Sequence, residues 1–538
     1  MMHLVQRGLG LRGVILMAIS VLMLGLATGP AKAQVTAFKQ AVAEAASDDR
    51  DLAGYYRDNA YAGLWTGQTP EDQARRKALF AAIAGVEAHG LPVARYDPTG
   101  LIALLSSVRS SRDLGFAEVE MSKTFLRLAA DLQTGILDPS SVVPGYKRAV
   151  VERDRATYLS EVKYADPRRF FRSLSPQTNE YARLMKEKAR LENLIAQGGW
   201  GETVPAKSLK PGQTGPAVLA LRDRLVLMGY LTRNASGSYD AALQGAVQTF
   251  QQNHGLEEDG IAGAGTMTEI NTPAETRLKS VIAALERERW FNGERGARHI
   301  LVNLTDFTAR IIKDDRQVFT TRSIVGKDVR DRETPEFSDE MEHMVINPTW
   351  HIPRSIAIKE YLPKMKKNRN AASYLKIYDR RGREVSRGSV NFRAYNAKNF
   401  PYSMKQPPSP RNALGLVKFM FPNKYNIYLH DTPTKNLFLS EKRAFSYGCV
   451  RLQRPFEFAY TLLAEQESDP KEFFQSTLRT NRETKVMLEQ PIPVHLIYRT
   501  AFTAPQGRVQ YRRDIYGRDA AIWNALSKAG VSLAGVQG

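Results

Sequence analysis

Cysteine is nearly absent from this sequence, because Cys449 is the only one in 538 residues. A chain with one cysteine forms no internal disulfide, which excludes the disulfide-stapled scaffolds of small secreted domains. A lone cysteine is often a small buried hydrophobic residue, and the alternatives are a reactive thiol or an intermolecular bridge. The count alone favours the buried residue, so the neighbours of Cys449 must decide.

Metal-binding and phosphate-binding patterns are also missing. The chain has eight histidines but no H-E-x-x-H motif, and one cysteine cannot build a thiolate zinc site. The glycine-rich run at 263–265 follows no strand and precedes no Lys-Ser or Lys-Thr, which argues against a phosphate loop. The sequence therefore predicts no metal and no cofactor.

Long apolar runs are confined to the N-terminus. Residues 1–33 contain basic residues but no acid, an apolar run from Val14 to Ala27 and a small-x-small pattern that ends at Ala33. The run is shorter than the roughly 20 residues that span a bilayer. We therefore predict a signal peptide at 1–33 that is cleaved after Ala33, with an uncleaved inner-membrane anchor as the alternative. The predicted location is the periplasm.

Acidic residues are few, since 56 Asp and Glu stand against 76 Lys and Arg, which gives a formal net charge of +20. Loss of residues 1–33 removes three basic residues and leaves +17. This excess favours polyanionic partners. Export makes nucleic acid an unexpected partner and favours a carboxylate-bearing wall polymer or an anionic membrane surface, although a generally basic exported protein would have the same charge.

Hydrophobic periodicity divides the rest of the chain into regions of different texture. Apolar residues recur at helical spacing in 71–91 and 116–137, whereas β-branched residues dominate from His299 onward. A basic stretch at about 362–415 is too long for an ordinary loop and predicts a functional insertion such as a lid. We predict a helical scaffold domain at 34–204, a small three-helix domain at 205–273, a helix that returns to the scaffold at 274–297, a β-rich domain at 298–497 and a tail without assigned function at 498–538.

His430 is the candidate base for the Cys449 thiol. A thiol attacks a carbonyl only as thiolate, and a nearby imidazole or aligned backbone amides lower its pKa from about 8.5. The strand-like run 425–430 ends at His430, so that Tyr428 and His430 share one face. A loop between His430 and Cys449 would bring the two side chains together. The competing interpretation is a strand-end histidine bonded to a backbone carbonyl.

The residues around Cys449 add the other parts of an acyl-transfer site. Gly448 permits positive φ and close approach of a substrate, and the backbone N–H groups of Tyr447, Gly448 and Cys449 are candidate oxyanion donors. Arg451 shares a face with Cys449 in an extended segment and is a candidate carboxylate clamp, with a surface ion pair as the alternative. Ser446 is a candidate for substrate binding or for a local bond within the loop.

Two families resemble parts of this chain. Residues 208–272 resemble the peptidoglycan-binding domain of wall enzymes, through Gly212, Gly215, Val218, Leu221, Gly229-Tyr230, Phe250-Gln251 and Asp259-Gly260-x-x-Gly263 with Thr266. The pattern His430 … Ser446-x-Gly448-Cys449-Val450-Arg451 resembles the YkuD-type L,D-transpeptidase catalytic domain. Supporting motifs are ILVNL at 300–304, Val325-Gly326-Lys327, Asn347-Pro348-Thr349-Trp350, Gln406-Pro407-Pro408, Asn412-Ala413-Leu414-Gly415 and Lys418-Phe419-x-Phe421-Pro422-Asn423.

The resemblance implies a multidomain α+β protein of the large periplasmic subgroup, with scaffold, peptidoglycan-binding and lid subdomains. It also implies an acyl-enzyme on Cys449 that joins peptidoglycan stems by 3→3 cross-links or attaches an envelope protein, and inhibition by carbapenems. Trp350 and Tyr428 are candidate walls of the peptide site. Tyr447 replaces the histidine that many members have before the glycine. The alternatives are a non-catalytic peptidoglycan-binding protein and a hydrolase such as an L,D-carboxypeptidase.

Overall fold

The structure is a computed structural model that describes residues 31–503 and 507–533, with side chains from residue 37 onward. The predicted signal peptide therefore lies outside the described residues except for positions 31–33, which begin the first helix. No helix of the described part is both long and apolar enough to cross a membrane. The chain divides into two compact units, 1–144 with 149–293 and 500–538, and 145–148 with 294–499.

The first unit is helical. Many of its helices have an Asp, Ser or Thr at the N-cap, as at Asp49, Thr69 and Ser110, which satisfies backbone N–H groups of the first turn. Its helices are α1 Ala31–Ala46, α2 Arg50–Asp58, α3 Pro70–Gly85, α4 Pro98–Ser107, α5 Ser111–Thr134, α6 Pro139–Val142, α7 Arg155–Tyr164, α8 Pro167–Ser173, α9 Asn179–Ala196, α10 Pro216–Leu227, α11 Ala241–His254, α12 Ala264–Ile270 and α13 Ala274–Trp290.

Close helix packing builds the core of this unit. Helix α1 packs along α5, and a Cβ at Gly115 would lie 2.7 Å from the Cβ of Ala41, so only glycine fits there. The buried residues around this contact, which include Trp65 and Phe125, form one continuous apolar cluster from Val42 to Leu174. Helix α13 packs against α9.

The basic C-terminal segment belongs to the first unit. Strands β14 (Ala501–Thr503) and β15 (Val509–Tyr511) pair antiparallel, and helix α18 (Arg518–Lys528) follows them. The Arg513 guanidinium contacts the Glu269 carboxylate at 2.7 Å, and the Tyr511 hydroxyl donates to Glu187 at 2.6 Å. The segment that the sequence left without a function is therefore folded against the helices of this unit.

The second unit is built on one large sheet. Its strands lie in the order β11-β3-β12-β10-β9-β4-β13-β1-β2, and β2 also pairs with β3, so the sheet closes on itself. Among the described strands, closure leaves the short strand β11, which pairs with β3 alone, with an unpaired edge. The strands are β1 Arg298–Asn303, β2 Thr308–Lys313, β3 Arg316–Gly326, β4 Phe337–Ile346, β9 Val417–Met420, β10 Leu429–His430, β11 Ala444–Ser446, β12 Val450–Leu452 and β13 Thr484–Ile497. Helices α16 Pro455–Leu463 and α17 Pro470–Arg479 accompany them.

The predicted insertion is a subdomain with its own sheet and core. Its strands pair in the order β5-β8-β6-β7, and its buried residues run from Trp350 to Leu414. The insertion therefore begins before residue 362. Its elements are β5 Trp350–His351, α14 Arg354–Ile356, a π-helical turn at Ala357–Tyr361, α15 Leu362–Lys367, β6 Lys376–Tyr378, β7 Glu384–Val385 and β8 Ser403–Gln406. A helical unit and a mainly β unit with an insertion confirm the multidomain α+β class.

Candidate active site

Two short parallel strands bring the candidate residues onto one face. Strands β10 and β12 pair with Leu429 opposite Val450 and His430 opposite Arg451. Leu429 and Val450 are fully buried in the core. Because side chains alternate along a strand and residues in register point the same way, the flanking side chains lie on the opposite face. These side chains are Tyr428, His430, Cys449 and Arg451.

The strand that carries His430 is shorter than the sequence predicted. Only Leu429 and His430 are extended, because Asn426 has φ 55° in the left-handed region. The Asn423 side chain organises this turn: its Oδ1 accepts from the N–H groups of Tyr425 and Ile427. The turn aims the Asn426 carbonyl at the Cys449 sulfur.

The Cys449 thiol is half-buried and protonated at neutral pH. Its Sγ donates to the Asn426 carbonyl at 3.5 Å. Burial raises the pKa of Cys449 to about 11, against the opposing effects of hydrogen bonds from Tyr428 and of the Arg451 charge. The sequence led us to expect a lowered pKa. The shift has the opposite direction because burial costs the thiolate more solvation free energy than Tyr428 and Arg451 supply in stabilisation.

The His430 imidazole is buried and neutral. Desolvation lowers its pKa to about 3, the Arg451 charge acts in the same direction, and the carbonyls of Asp431 and Leu414 oppose the shift. The ring Nδ1 bonds to the Asp431 carbonyl, so this bond assigns the proton to Nδ1 and the lone pair to Nε2. The Asp431 carboxylate itself bonds to Lys435 and to the Leu416 N–H. Asp431 therefore orients the ring through its backbone.

Arg451 is a half-buried cation with unused hydrogen-bonding capacity. Its Nε has no hydrogen-bond partner within the described residues. Desolvation lowers its pKa, and the neighbouring thiolate form of Cys449 opposes that shift. The side chain faces the site beside His430, so an anionic group of a substrate would satisfy both its charge and its free N–H.

Tyr428 packs against the apolar cluster of the insertion, which includes Trp350. Its hydroxyl is close enough to the Cys449 sulfur for each group to shift the pKa of the other. Burial and the adjacent sulfur raise the pKa of Tyr428 well above its ordinary value, so the hydroxyl stays protonated as a donor. Tyr428 is therefore a neighbour of the Cys449 sulfur, in addition to any role as a wall.

The loop before Cys449 fixes the candidate oxyanion donors. Gly448 has φ 114°, and a Cβ there would lie 3.0 Å from the Ile427 side chain, so the position requires glycine. The buried Ser446 hydroxyl donates to the Cys449 carbonyl at 2.5 Å and accepts from the Gly448 N–H at 3.1 Å. Ser446 is therefore turned into the loop and the Gly448 N–H is occupied. Within the part of the chain that the structure describes, the Tyr447 and Cys449 N–H groups donate to no protein acceptor.

Tyr447 lies beside the loop 327–335 that follows β3. The Arg332 guanidinium stacks over its ring at 4.1 Å from the centroid. Its side chain is 37% exposed, which leaves one edge open to solvent. The ring therefore has a partner in the protein, and its backbone N–H stays available.

Amide side chains hold the base of the insertion against His430. The buried Asn412 Nδ2 donates to the carbonyls of Pro348, Gln406 and Pro407, and its Oδ1 accepts from the Leu414 N–H. The Leu414 carbonyl raises the pKa of the His430 imidazole. The insertion therefore contributes to the electrostatics of the site.

The predicted residues thus fall into two groups. Cys449, His430, Arg451 and Tyr428 share one face, with Trp350 behind Tyr428. Ser446 and the Gly448 N–H are used inside the loop. Sequence reasoning missed the carbonyls of Asn426 and Leu414, because backbone acceptors leave no residue-type signal.

Three regions of the chain match known domain families. Residues 297–486 match the L,D-transpeptidase catalytic domain (YkuD), residues 50–187 match a scaffold domain, and residues 214–270 match the family described as "Putative peptidoglycan binding domain". A relative from Haemophilus influenzae, described as "Putative L,D-transpeptidase", is 33% identical over 238 residues. That alignment covers 43% of this chain and 47% of the relative, so the chain spans about half the length of the curated relative.

Solved structures of L,D-transpeptidases are also similar to this chain. One from Xylanimonas cellulosilytica is 15% identical and matches over 55% of this chain and 100% of its own, with a TM-score of 0.17. One from Stackebrandtia nassauensis is 16% identical and matches over 55% of this chain and 97% of its own, with a TM-score of 0.22.

Proposed function

We propose that this chain, which carries an L,D-transpeptidase catalytic domain at residues 297–486, is a cysteine-dependent L,D-transpeptidase of peptidoglycan. The observation that carries the proposal is the register of β10 and β12, which makes His430 the diagonal neighbour of Cys449 on one sheet face. The order of scaffold, peptidoglycan-binding and catalytic matches along the chain supports the same substrate.

The first step transfers an acyl group to the sulfur. His430 Nε2 takes the thiol proton while Sγ attacks the carbonyl carbon at the L-centre of the third residue, meso-diaminopimelate, of a tetrapeptide stem. The carbonyl electrons move onto oxygen, where the Cys449 N–H is a free donor and the Tyr447 N–H is a second one. Collapse breaks the C–N bond, and the imidazolium returns the proton to the departing D-Ala amine. A thioester remains on Cys449.

The second step passes the acyl group to an amine. A side-chain amine of another stem attacks the thioester carbon, and His430 takes the proton of the attacking amine. The C–S bond then breaks, and the proton returns to the sulfur. The product is a 3→3 cross-link, and a lysine of an envelope protein would give a protein attachment by the same bond changes.

Charge complementarity supports a carboxylate-rich substrate. Arg451 offers a half-buried cation with a free Nε at the site. Residues 362–415 contain 13 Lys and Arg but only two acids, so the insertion presents a basic surface next to Trp350 and Tyr428. Stem peptides carry several carboxylates, which such a surface would concentrate. A wall substrate places the protein outside the cytoplasm, in keeping with export to the periplasm.

The deciding experiment incubates the chain from residue 34 with purified tetrapeptide-rich peptidoglycan and analyses the muropeptides by mass spectrometry. We expect release of D-Ala together with 3→3 dimers, and neither product from the Cys449→Ala variant. Release of D-Ala without dimers would identify an L,D-carboxypeptidase instead. Binding to the polymer with no product would identify a non-catalytic wall protein. A carbapenem adduct on the wild type that Cys449→Ala lacks would support the acyl-enzyme independently.

A further inference from the structure

Thr334 is a buried hydroxyl residue that sequence reasoning did not select. It is fully shielded from solvent and lies at the end of the loop that follows β3. Its Oγ1 accepts from the Gly326 N–H at 2.9 Å and donates to the Gly448 carbonyl at 2.7 Å. The hydroxyl thus joins two backbone segments that are far apart in sequence, and the second of them is the peptide group that leads into Cys449.

The close approach of Thr334 to these segments is built into the chain. A Cβ at Gly326 would lie 2.0 Å from the Arg332 carbonyl and 2.7 Å from the Thr334 nitrogen, so no other residue fits under this loop. Strand β11 runs beside β3 with Ser446 opposite Gly326, which brings the Gly448 carbonyl within reach. Glycine at 326 therefore allows the loop that ends at Thr334 to pack against the segment that contains Gly448 and Cys449.

The peptide group between Gly448 and Cys449 is the one that Thr334 holds. A trans peptide is planar, and its C=O and N–H point in opposite directions. A bond from Thr334 to the Gly448 oxygen therefore sets the direction of the Cys449 N–H, away from Thr334. The preceding peptide differs, since its Gly448 N–H is already used by Ser446.

We propose that Thr334 is a positioning residue that presets the Cys449 N–H as the oxyanion donor of the site. This inference rests on the proposed acyl transfer, because an oxyanion forms only when Sγ attacks a carbonyl. The donor must point at its final position before the reaction, since reorientation during the step would cost the stabilisation that it provides. Loss of a whole oxyanion donor lowers rates by about 10²–10³, so a misaligned one should cost roughly 10–100-fold.

The test compares two reactions of the same sulfur. Acylation by a carbapenem creates an oxyanion at the attacked carbonyl, whereas alkylation by iodoacetamide displaces iodide from a CH₂ carbon and creates none. Thr334→Val removes the hydroxyl but keeps the shape, so we expect acylation to slow roughly 10–100-fold and alkylation at pH 9 to stay within about twofold of wild type. Thr334→Ser keeps the hydroxyl and should restore most of the acylation rate.

A matched control separates alignment from general loss of stability. Thr305 is also a buried threonine of this unit, and its hydroxyl bonds to the Arg499 carbonyl and the Asn303 side chain. Thr305→Val removes comparable hydrogen bonds away from the sulfur and should leave acylation unchanged. Equal acylation rates for Thr334→Val and wild type would overturn the inference. So would a parallel fall of acylation and alkylation, or a Thr334→Ser variant as slow as Thr334→Val.

A second readout needs only the wild-type chain, in case Thr334→Val does not fold. Because Cys449 is the only cysteine, nitrogen-15 cysteine gives one backbone amide signal, and that signal is the proposed donor. Acylation should shift its proton resonance as the thioester oxygen accepts from it. An amide proton that does not shift in the acylated protein would overturn the donor role. A wild type that no carbapenem acylates would instead count against the proposed function.

Discussion

The neutral state of the Cys449–His430 pair predicts an unusual pH dependence for chemical modification of the sulfur. With a pKa of about 11, the fraction of thiolate at pH 7 is about 10⁻⁴, against about 3% for an ordinary cysteine of pKa about 8.5. That difference is about 300-fold. A thiolate of higher pKa is a better nucleophile, and this recovers roughly tenfold of the lost alkylation rate. Iodoacetamide should therefore alkylate Cys449 about 20–30-fold more slowly than glutathione at pH 7.

The slope with pH is the sharper measurement, because limited access to a half-buried sulfur slows alkylation equally at every pH. Between pH 7 and pH 10 the alkylation rate should rise about tenfold for each unit of pH, with no plateau. Acylation by a carbapenem should instead be nearly independent of pH from about pH 5 to pH 9. His430, with a pKa of about 3, is a neutral base throughout that range and takes the proton during attack.

The His430→Gln variant is the control that links the two profiles. Acylation should fall by roughly 10²–10⁴ when the base is lost, while the alkylation slope stays at about tenfold per unit. A plateau of alkylation below pH 8 in the wild type would refute the reasoning, since it would mean a preformed thiolate. An acylation rate that rises with pH in parallel with alkylation would refute the role of His430. Slow labelling near pH 7 does not by itself identify an inert protein.

Three further predictions follow from the same contacts. The folded pKa of His430 is about 3, below its ordinary value of 6.5. Its contribution to the free energy of unfolding is therefore present above pH 6.5 and is lost, at up to about 1.4 kcal/mol per pH unit, as pH falls towards 3. Urea titrations should show that His430→Gln loses less stability than the wild type over this range. Tyr428 lowers the pKa of Cys449, so Tyr428→Phe should raise that pKa and slow both alkylation at pH 9 and acylation by roughly 10–100-fold, unlike Thr334→Val; unchanged alkylation would exclude this effect of the hydroxyl. Binding of the chain to purified peptidoglycan should weaken as the salt concentration rises. At low salt it should also weaken when the charges of three exposed basic residues of the insertion are reversed. Binding that does not depend on salt would exclude the electrostatic account. These residues are Lys364, Lys367 and Arg369.

Patterns with a short range were readable from the sequence. The alternation around Leu429 placed apolar residues in the core and His430 on the other face, as the buried Leu429–Val450 pair shows. The length of that strand was wrong, because the left-handed turn at Asn426 depends on the side chain of Asn423. Asparagine is compatible with both conformations, so its identity alone does not end a strand.

Contacts across the chain were not readable. The bond from Thr334 to Gly448 joins residues 114 positions apart, and no local pattern marks either end. The direction of the Cys449 pKa depends on burial, which arises from packing in the folded chain and has no local sequence pattern. The tail was read as unassigned because the acids that pair with its arginines, such as Glu269, lie in another region.

A preformed imidazolium–thiolate pair would require the pKa of His430 to exceed that of Cys449, whereas the two values are about 3 and about 11. Arg451 contributes to both, since its charge keeps the imidazole neutral and favours the thiolate once it forms. Proton transfer is therefore favourable only when negative charge can move on from sulfur to a carbonyl oxygen. Stabilisation of that oxygen therefore accounts for a larger part of the lowering of the activation barrier here than in a site with a resting thiolate. The orientation of the Cys449 N–H, and with it Thr334, should then limit the rate of acylation.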